Sequence, residues 1–197
     1  MWSDLDYDEE RQFLYRDEYQ HERDERDTRG RSLVKGLVAG IAGGLAAAAA
    51  MNLFQKAISA TVTSDSHGAQ SQQPADDRED EDATMKTAEA VSELTTGQTL
   101  TKEQRETGGT LVHYAFGAAM GAVYGVLTEL APRTASGFGT PYGAAVWLGA
   151  DEIAMPALGL SKGPTELPAS THLQAFAAHL VYGLTADTVR RLIRRAI

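Results

Sequence analysis

Two adjacent carboxylates, Asp151 and Glu152, interrupt an otherwise apolar segment and are the side chains best suited to ionisable chemistry. The segment covers residues 138–160, so a helix would place both carboxylates about 3–5 Å past its midpoint. A carboxylate at that depth of a membrane costs at least about 2.5–3.5 kcal/mol to insert, and it therefore faces a bundle interior or a wet cavity. Because adjacent helical positions point about 100° apart, we expect the two side chains to have different partners.

His179 is the expected partner of this acidic pair. It lies one residue from the midpoint of the apolar segment 171–189, at nearly the same depth as Asp151. His172 and Tyr182 share a helix face with it, and His113 lies on the apolar segment 110–131. We call these residues, with Asp151 and Glu152, the polar seam. The seam would carry protons or cations, or it would only hold the helices together through hydrogen bonds.

Pro156 is expected to disturb the helix beside the carboxylates. It lies four residues after Glu152, where its ring crowds the Glu152 carbonyl and cannot donate a hydrogen bond to it. The helix should therefore kink or loosen at this point. A freed carbonyl beside two carboxylates would favour a proton or cation site.

Other kinds of chemistry have little support in the sequence. The chain has no cysteine, so it has neither a thiolate metal site nor a cysteine nucleophile, and no phosphate-binding loop, zinc-protease or serine-hydrolase motif is present. The adjacent carboxylates, with histidines on other helices, lack the ligand spacing of a metalloenzyme. We therefore predict no enzyme, no metal and no cofactor. Haem ligation by His113 and His179 is the one cofactor alternative.

The charge of the chain is segregated. Of 197 residues, 1–32 hold 6 basic and 11 acidic side chains, and 53–109 hold 5 basic and 11 acidic side chains. The remaining 108 residues hold only 7 basic and 5 acidic ones, and they are rich in glycine and alanine. The acidic balance excludes nucleic acid as a partner, because no basic face is available to neutralise phosphates.

The apolar part of the chain divides into four segments of 19 to 23 residues, each long enough for a helix that crosses a bilayer. These segments are 33–54, 110–131, 138–160 and 171–189. We therefore predict an all-α integral membrane bundle of about four transmembrane helices, with the lipid bilayer as its surroundings. The alternative is a soluble all-α bundle with a glycine-rich core.

Three polar stretches complete the predicted organisation. Residues 1–32 are expected to form a charged cytoplasmic tail, partly helical or disordered, that is suited to docking on a protein partner or on the membrane surface. Residues 55–109 are expected to form a long acidic extracytoplasmic loop. Within it, 64–82 reads as disordered acidic linker and a short helix is predicted near 83–94, while Gly97, Gly108 and Gly109 should break helical structure. Residues 190–197 form a basic cytoplasmic end.

Lys and Arg near the ends of the predicted spans set the orientation. An even number of spans places three basic clusters on one side: Arg29, Arg31 and Lys35; Arg133; and Arg190, Arg191, Arg194 and Arg195. Because basic residues accumulate on the cytoplasmic side, both termini are expected to be cytoplasmic.

Glycines recur every four residues on three of the predicted spans. The rows are Gly36, Gly40 and Gly44; Gly117, Gly121 and Gly125; and Gly139 and Gly143. Residues four apart lie on one helix face, where glycine lets two backbones approach closely. We predict that these rows form helix–helix contacts, either within the bundle or between the protomers of a homo-oligomer.

The second and fourth spans also resemble each other. Val-Tyr-Gly precedes an acidic residue in the stretches 123–129 and 181–187, and a histidine followed by a phenylalanine comes before each. Both helices run in the same direction in the predicted topology, which would fit a duplicated helix pair. Chance similarity between glycine- and alanine-rich segments is the alternative.

Several stretches resemble a known family. The sequences HYAFG, GAVYG, WLGADEIAMPALGLS and AAHLVYG are similar to those of the YagU-type inner-membrane proteins, a bacterial family built on a domain of unknown function. The resemblance covers the four apolar segments and the approach to the second, about two thirds of the chain. It implies an integral protein of the bacterial cytoplasmic membrane that is linked to acid-stress tolerance. The family has no catalytic residues to carry over.

Three functions therefore compete. The first is a small membrane protein that handles protons or cations through the polar seam. The second is a structural or regulatory membrane protein, binding a partner or forming an oligomer, whose seam only stabilises the bundle. The third, a membrane enzyme with a metal, has no recognisable ligand spacing.

Overall fold

A computed structural model describes residues 4–64, 83–163 and 165–197, with the side chains of the first helix described from Arg23 to Ala60 except at position 24. These residues form helices and connecting turns without a β-strand. The predicted all-α class is therefore confirmed. The predicted linker 64–82 falls outside the described residues apart from Ser64, which ends the first helix.

The first helix, α1 (Asp4–Ser64), is much longer than the predicted span 33–54. The tail 1–32 was expected to be partly helical or disordered, and residues 4–32 form the first half of α1. No proline interrupts this stretch, and opposite charges recur four residues apart, for example Glu25 with Arg29 and Asp27 with Arg31. Such pairs support a helix that has no apolar face to bury.

The next helices are α2 (Ala83–Thr96) and α3 (Lys102–Leu130). Helix α2 lies where a helix near 83–94 was predicted. Helix α3 begins eight residues before the predicted span 110–131, because Thr101 and Gln104 cap each other reciprocally. Gly108 and Gly109 do not break the helix as predicted. They lie inside α3, where α2 packs so closely that an added Cβ would clash with it.

The predicted span 138–160 is shorter and less regular than expected. A 3₁₀ segment, Pro132–Gly139, ends in left-handed backbone at Phe138 and Gly139, so the helix cannot begin before Thr140. It continues as α4 (Thr140–Trp147), a π-helical segment (Leu148–Ala154) and α5 (Met155–Ala157). Together they form a helical run of 18 residues, which we call the α4–α5 run.

The last helix, α6 (Ala169–Ala196), extends beyond the predicted span 171–189. The predicted basic end 190–197 is part of α6, which continues to residue 196, and several of its arginines turn back onto acidic partners. In the bundle, α1 packs between α3 and α6, the α4–α5 run packs on α6, and α2 packs on α3. The buried core is made of small and aromatic residues, among them Ala47, Ala178 and Tyr182.

Candidate functional site

A cavity of about 770 Å³ lies among α1, α3, the α4–α5 run and α6, at the end of the bundle where α2 begins. All six members of the polar seam line it: His113, Asp151, Glu152, His172, His179 and Tyr182. The seam residues come from three different helices, so the fold gathers them into one place. Polar side chains inside an apolar bundle would otherwise be expensive to bury.

The two carboxylates pair with different histidines. Glu152 Oε1 lies 2.6 Å from His172 Nδ1, and Asp151 Oδ2 lies 3.6 Å from His179 Nδ1. His179 Nδ1 is also 2.9 Å from the carbonyl oxygen of Ala175, so its proton is shared with the backbone and the Asp151 contact is a looser one. The site therefore contains one tight and one loose carboxylate–imidazole pair.

The remaining seam residues bind backbone rather than the carboxylates. His113 Nε2 lies 3.3 Å from the carbonyl oxygen of Ala48, and the Tyr182 hydroxyl donates to the carbonyl oxygen of Gly117 at 2.6 Å. These bonds join α1 to α3 and α6 to α3. They satisfy buried polar groups and also fix where the cavity walls stand.

The π-helical segment explains how neighbouring carboxylates reach this cavity. Asp151 and Glu152 lie inside it, and the Met155 amide donates to the Ala150 carbonyl five residues back. The wider turn accommodates Pro156, whose ring would crowd a regular α-helical turn. The structure thus has a loosened helix where the sequence predicted a kink or loosening. Pro156 itself does not line the cavity.

The glycine rows lie where helices cross most closely. A Cβ added at Gly40 would overlap the carbonyl oxygen of Gly121, and one added at Gly44 would overlap that of Gly117. Gly36 meets Gly125 in the same way. We call α1 and α3 the first hairpin, and its crossing is made of backbone against backbone.

The α4–α5 run and α6 form a second hairpin with a similar crossing. A Cβ added at Gly139 would overlap the carbonyl oxygen of Gly183 and lie 2.9 Å from Asp187 Cβ. One added at Gly143 would overlap the carbonyl oxygen of His179. Gly183 was not predicted as a packing residue, although it matches Gly125 in the repeated Val-Tyr-Gly motif.

The two hairpins make equivalent contacts, which supports the duplication seen in the sequence. The matching pairs are Gly36–Gly125 with Gly139–Gly183, and Gly40–Gly121 with Gly143–His179. His179 therefore occupies the place that Gly121 has in the first hairpin. The position that corresponds to Gly121 thus carries an imidazole in the second hairpin, and Asp151 Oδ2 lies 3.6 Å from its Nδ1.

A second polar cluster lies at the opposite end of the bundle. Asp187 is fully buried and accepts from Arg190 at 2.8 Å and from Arg191 at 2.7 Å. Glu129 accepts from Arg194 at 2.8 Å and also from Ser32. We call these residues the inner ion cluster. From the sequence, these arginines were used only to predict the orientation in the membrane. The spacing of Asp187, three residues before Arg190 and four before Arg191, was the sign of the two ion pairs.

Within the part of the chain that the structure describes, no three histidine or acidic side chains converge in a way that could hold a metal ion.

Comparison with known proteins identifies the family of this chain. No curated protein and no solved structure matches the chain. A family model described as a protein of unknown function, DUF1440, matches residues 74–188, which include the whole second hairpin up to Thr188. This match confirms the family resemblance, and the chain belongs to the DUF1440 family.

Proposed function

We propose that the chain is a four-span protein of the bacterial cytoplasmic membrane that exchanges protons or cations through the carboxylate–imidazole pairs of its cavity. Two helical stretches, Glu25–Ala60 and Lys102–Leu130, are long and apolar enough to cross a membrane. In the most apolar 18 residues of each stretch, only 39% and 22%, respectively, is buried inside the bundle. The core helix of a soluble protein would be mostly buried, so these values favour lipid contact.

The distribution of apolar side chains supports a membrane span at each of the four long helical runs. Large apolar side chains are exposed on each of them, for example Val38, Leu45, Leu111, Val123, Leu148, Ile153, Leu173 and Leu184. The interior instead holds alanine, glycine and polar residues such as His179 and Asp187. Water would disfavour this arrangement, whereas lipid leaves close packing of small residues to drive association. The 18 residues of the α4–α5 run, about 27 Å, suffice for a span.

The charge at the two ends of the bundle supports cytoplasmic termini. The inner ion cluster and the exposed Arg29, Arg133 and Arg195 lie at one end. The opposite end carries α2, and the stretch of sequence before α2 is acidic. The positive-inside rule places the arginine-rich end in the cytoplasm, so the cavity would open to the outside.

Single-cysteine labelling tests this topology, because the chain has no cysteine of its own. Thr95→Cys on α2 should react with a membrane-impermeant maleimide in spheroplasts of an expressing bacterium. Thr28→Cys on α1 should react only after permeabilisation, since both positions are exposed but lie on opposite sides. Labelling of Thr28→Cys in sealed spheroplasts would contradict cytoplasmic termini, and the unmodified chain serves as the blank.

The observation that carries the functional proposal is the pair of carboxylate–imidazole contacts inside one cavity. Imidazole changes charge near pH 6.5 unless its site perturbs it, and a contacting carboxylate can share or exchange its proton. Glu152–His172 and Asp151–His179 therefore form two sites that can each take up and release a proton. A cation that approaches the carboxylates would compete with those protons.

The first hairpin argues that this chemistry is more than structural support. Its crossing is made of two rows of glycines, Gly36, Gly40 and Gly44 on α1 against Gly117, Gly121 and Gly125 on α3, and a second hairpin could pack in the same way. In the second hairpin, His179 instead occupies the position that corresponds to Gly121, and Asp151 lies beside it, despite the cost of placing ionisable groups in a membrane. A costly substitution that packing does not require favours a functional role.

A structural or regulatory role is the second candidate, and specific hydrogen bonds favour it for part of the seam. His113, Tyr182 and Tyr142 all bond backbone carbonyls on neighbouring helices. Those three side chains would stabilise the bundle whatever it does. The carboxylates make no such inter-helix backbone bonds among the described contacts, so they separate the two candidates.

Proton exchange is tested in proteoliposomes with an internal pH dye. Asp151→Asn and Glu152→Gln should each lower the rate of pH-gradient dissipation at least tenfold, because an amide does not titrate in this range, while the melting temperature changes little. His179→Gln should shift the pH profile of the remaining rate. Glu103→Gln, an exposed carboxylate at the start of α3, is the matched control and should behave like the unmodified protein.

Wild-type exchange in both Asp151→Asn and Glu152→Gln would remove the proton pathway. That outcome would leave the structural role as the better explanation of the seam. Loss of exchange together with a collapse of the melting temperature would point the same way.

A further inference from the structure

The cavity is far larger than proton exchange requires. Its volume of about 770 Å³ compares with roughly 30 Å³ for one water molecule in the liquid. Sites for small organic ligands fall in the range of about 300–1,000 Å³. A single row of water molecules beside two carboxylates would need only a narrow channel, so the large volume of the cavity needs another explanation.

The walls of the cavity suit an apolar ligand. The lining includes Met51 of α1 and Phe116 of α3. It also includes Met155, at the start of α5, and Leu160, just after the end of α5. Methionine side chains adapt to irregular shapes, and the face of an aromatic ring such as Phe116 attracts cations. These residues would contact the hydrocarbon groups of a ligand, and Phe116 would also attract a positive charge.

The charge of the cavity favours a cation and depends on pH. Five lining side chains are formally charged: Lys86, Glu106, Asp151, Glu152 and Lys162. With neutral imidazoles they sum to −1, and with His113, His172 and His179 protonated the sum becomes +2. Lys162 is exposed, whereas the Asp151 and Glu152 side chains are 38% and 14% exposed and lie beside the imidazoles. The region around these two carboxylates is therefore anionic whenever the imidazoles are neutral.

We infer that this cavity binds a small organic cation with apolar substituents, such as a substituted ammonium ion. The inference rests on the proposed function and names the class of its cation. The cation would lie against the Asp151 and Glu152 carboxylates, with its apolar groups on Phe116 and the methionines. As it binds, imidazolium groups of His172 and His179 release their protons to bulk water. Low pH reverses this exchange, because the reprotonated histidines cancel the negative charge that held the cation.

Tetraphenylphosphonium is a suitable probe, and tetraphenylborate is its matched control with nearly the same shape and opposite charge. Calorimetry on the purified full chain in detergent should show tetraphenylphosphonium binding at pH 8 that weakens at least tenfold at pH 5. Tetraphenylborate should not bind at pH 8. Asp151→Asn and Glu152→Gln should each weaken tetraphenylphosphonium binding at least tenfold, whereas Glu103→Gln should not.

Equal binding of the two probes at pH 8, or affinity for tetraphenylphosphonium that does not change with pH, would overturn the inference. Both comparisons use the unmodified protein, so they hold even if a variant fails to fold. A proton release on binding, measured in weak buffer, would support the exchange, and its absence would count against it. Proton exchange in proteoliposomes without tetraphenylphosphonium binding would overturn the ligand class alone, whereas loss of both would overturn the proposed function as well.

Discussion

Replacing Gly121 by leucine is expected to separate α1 from α3 and to cost about 3 kcal/mol of stability, the upper end of what overpacking usually costs. A Cβ at this position would overlap the Gly40 carbonyl oxygen and lie 2.6 Å from Gly44 Cα and 2.7 Å from Gly44 N. These are backbone atoms of a helix, so no side chain can rotate away to make room. The helices must move apart, and in lipid the close contact itself is what holds them together.

The measurement is the melting temperature of the purified protein in a mild detergent. Gly149→Leu is the matched control, because Gly149 is exposed in the π-helical segment and a Cβ there meets no atom within 4 Å. It should melt close to the unmodified protein. If Gly121→Leu melts like Gly149→Leu, the α1–α3 crossing is not as close as the structure has it.

The sequence predicted the helical class and where the long helices lie because apolar runs bounded by charge and glycine are strong signals. It failed where a local signal depended on a neighbour. Gly108 and Gly109 read as helix breakers, yet α2 packs on α3 there and needs residues without a Cβ. The capping pair Thr101 and Gln104 was the readable sign that α3 starts earlier.

The first half of α1 was left between helix and disorder for a different reason. A stretch dense in both charges is typical of disorder and of a solvated helix alike, since neither buries an apolar face. The spacing of opposite charges, such as Glu25 with Arg29, favours the helix. Composition alone could not separate these two outcomes.

The meeting of the seam residues in one cavity could be predicted from their depth along the helices and from the helix faces that they share. Both need only the spacing of the residues in the sequence. Of the individual pairs, Asp151 with His179 was expected from their common depth, whereas Glu152 with His172 was not. The π-helical segment changes the rotation per residue just where the carboxylates lie. A regular helix could not have been used to derive that pairing, although Pro156 marked the place of the irregularity.

The packing of α1 on α6 was missed although the sequence contains its signal. Ala39, Gly43 and Ala47 repeat every four residues, offset from the row that faces α3. A Cβ added at Gly43 would lie 2.6 Å from the Ala186 carbonyl oxygen. Two offset rows of small residues on one helix indicate two close neighbours, which is why α1 lies between α3 and α6.

Replacing Asp187 by alanine is the second change expected to have a large effect, with a loss of about 3–5 kcal/mol. Asp187 is fully buried and is the acceptor for both Arg190 and Arg191. Arg190 is itself only 7% exposed and lies 5.6 Å above the Tyr124 ring, so its guanidinium would lose its ion pair without gaining water. Arg191 would lose less, because its side chain is 40% exposed.

A double variant separates the cost of an orphaned charge from the value of the pair. Asp187→Leu combined with Arg190→Leu removes both buried charges, and a well-packed apolar replacement of a buried ion pair is often close to neutral. We expect the double variant to recover at least half of the stability that Asp187→Ala loses, measured as melting temperature in the same detergent. Glu129→Ala is the comparison at the other acidic position of the inner ion cluster, and it should cost less because Arg194 keeps a side chain that is 29% exposed. If the double variant is as unstable as Asp187→Ala, the pair contributes through packing and hydrogen-bond geometry, and the orphaned charge of Arg190 is not the main cause of the loss.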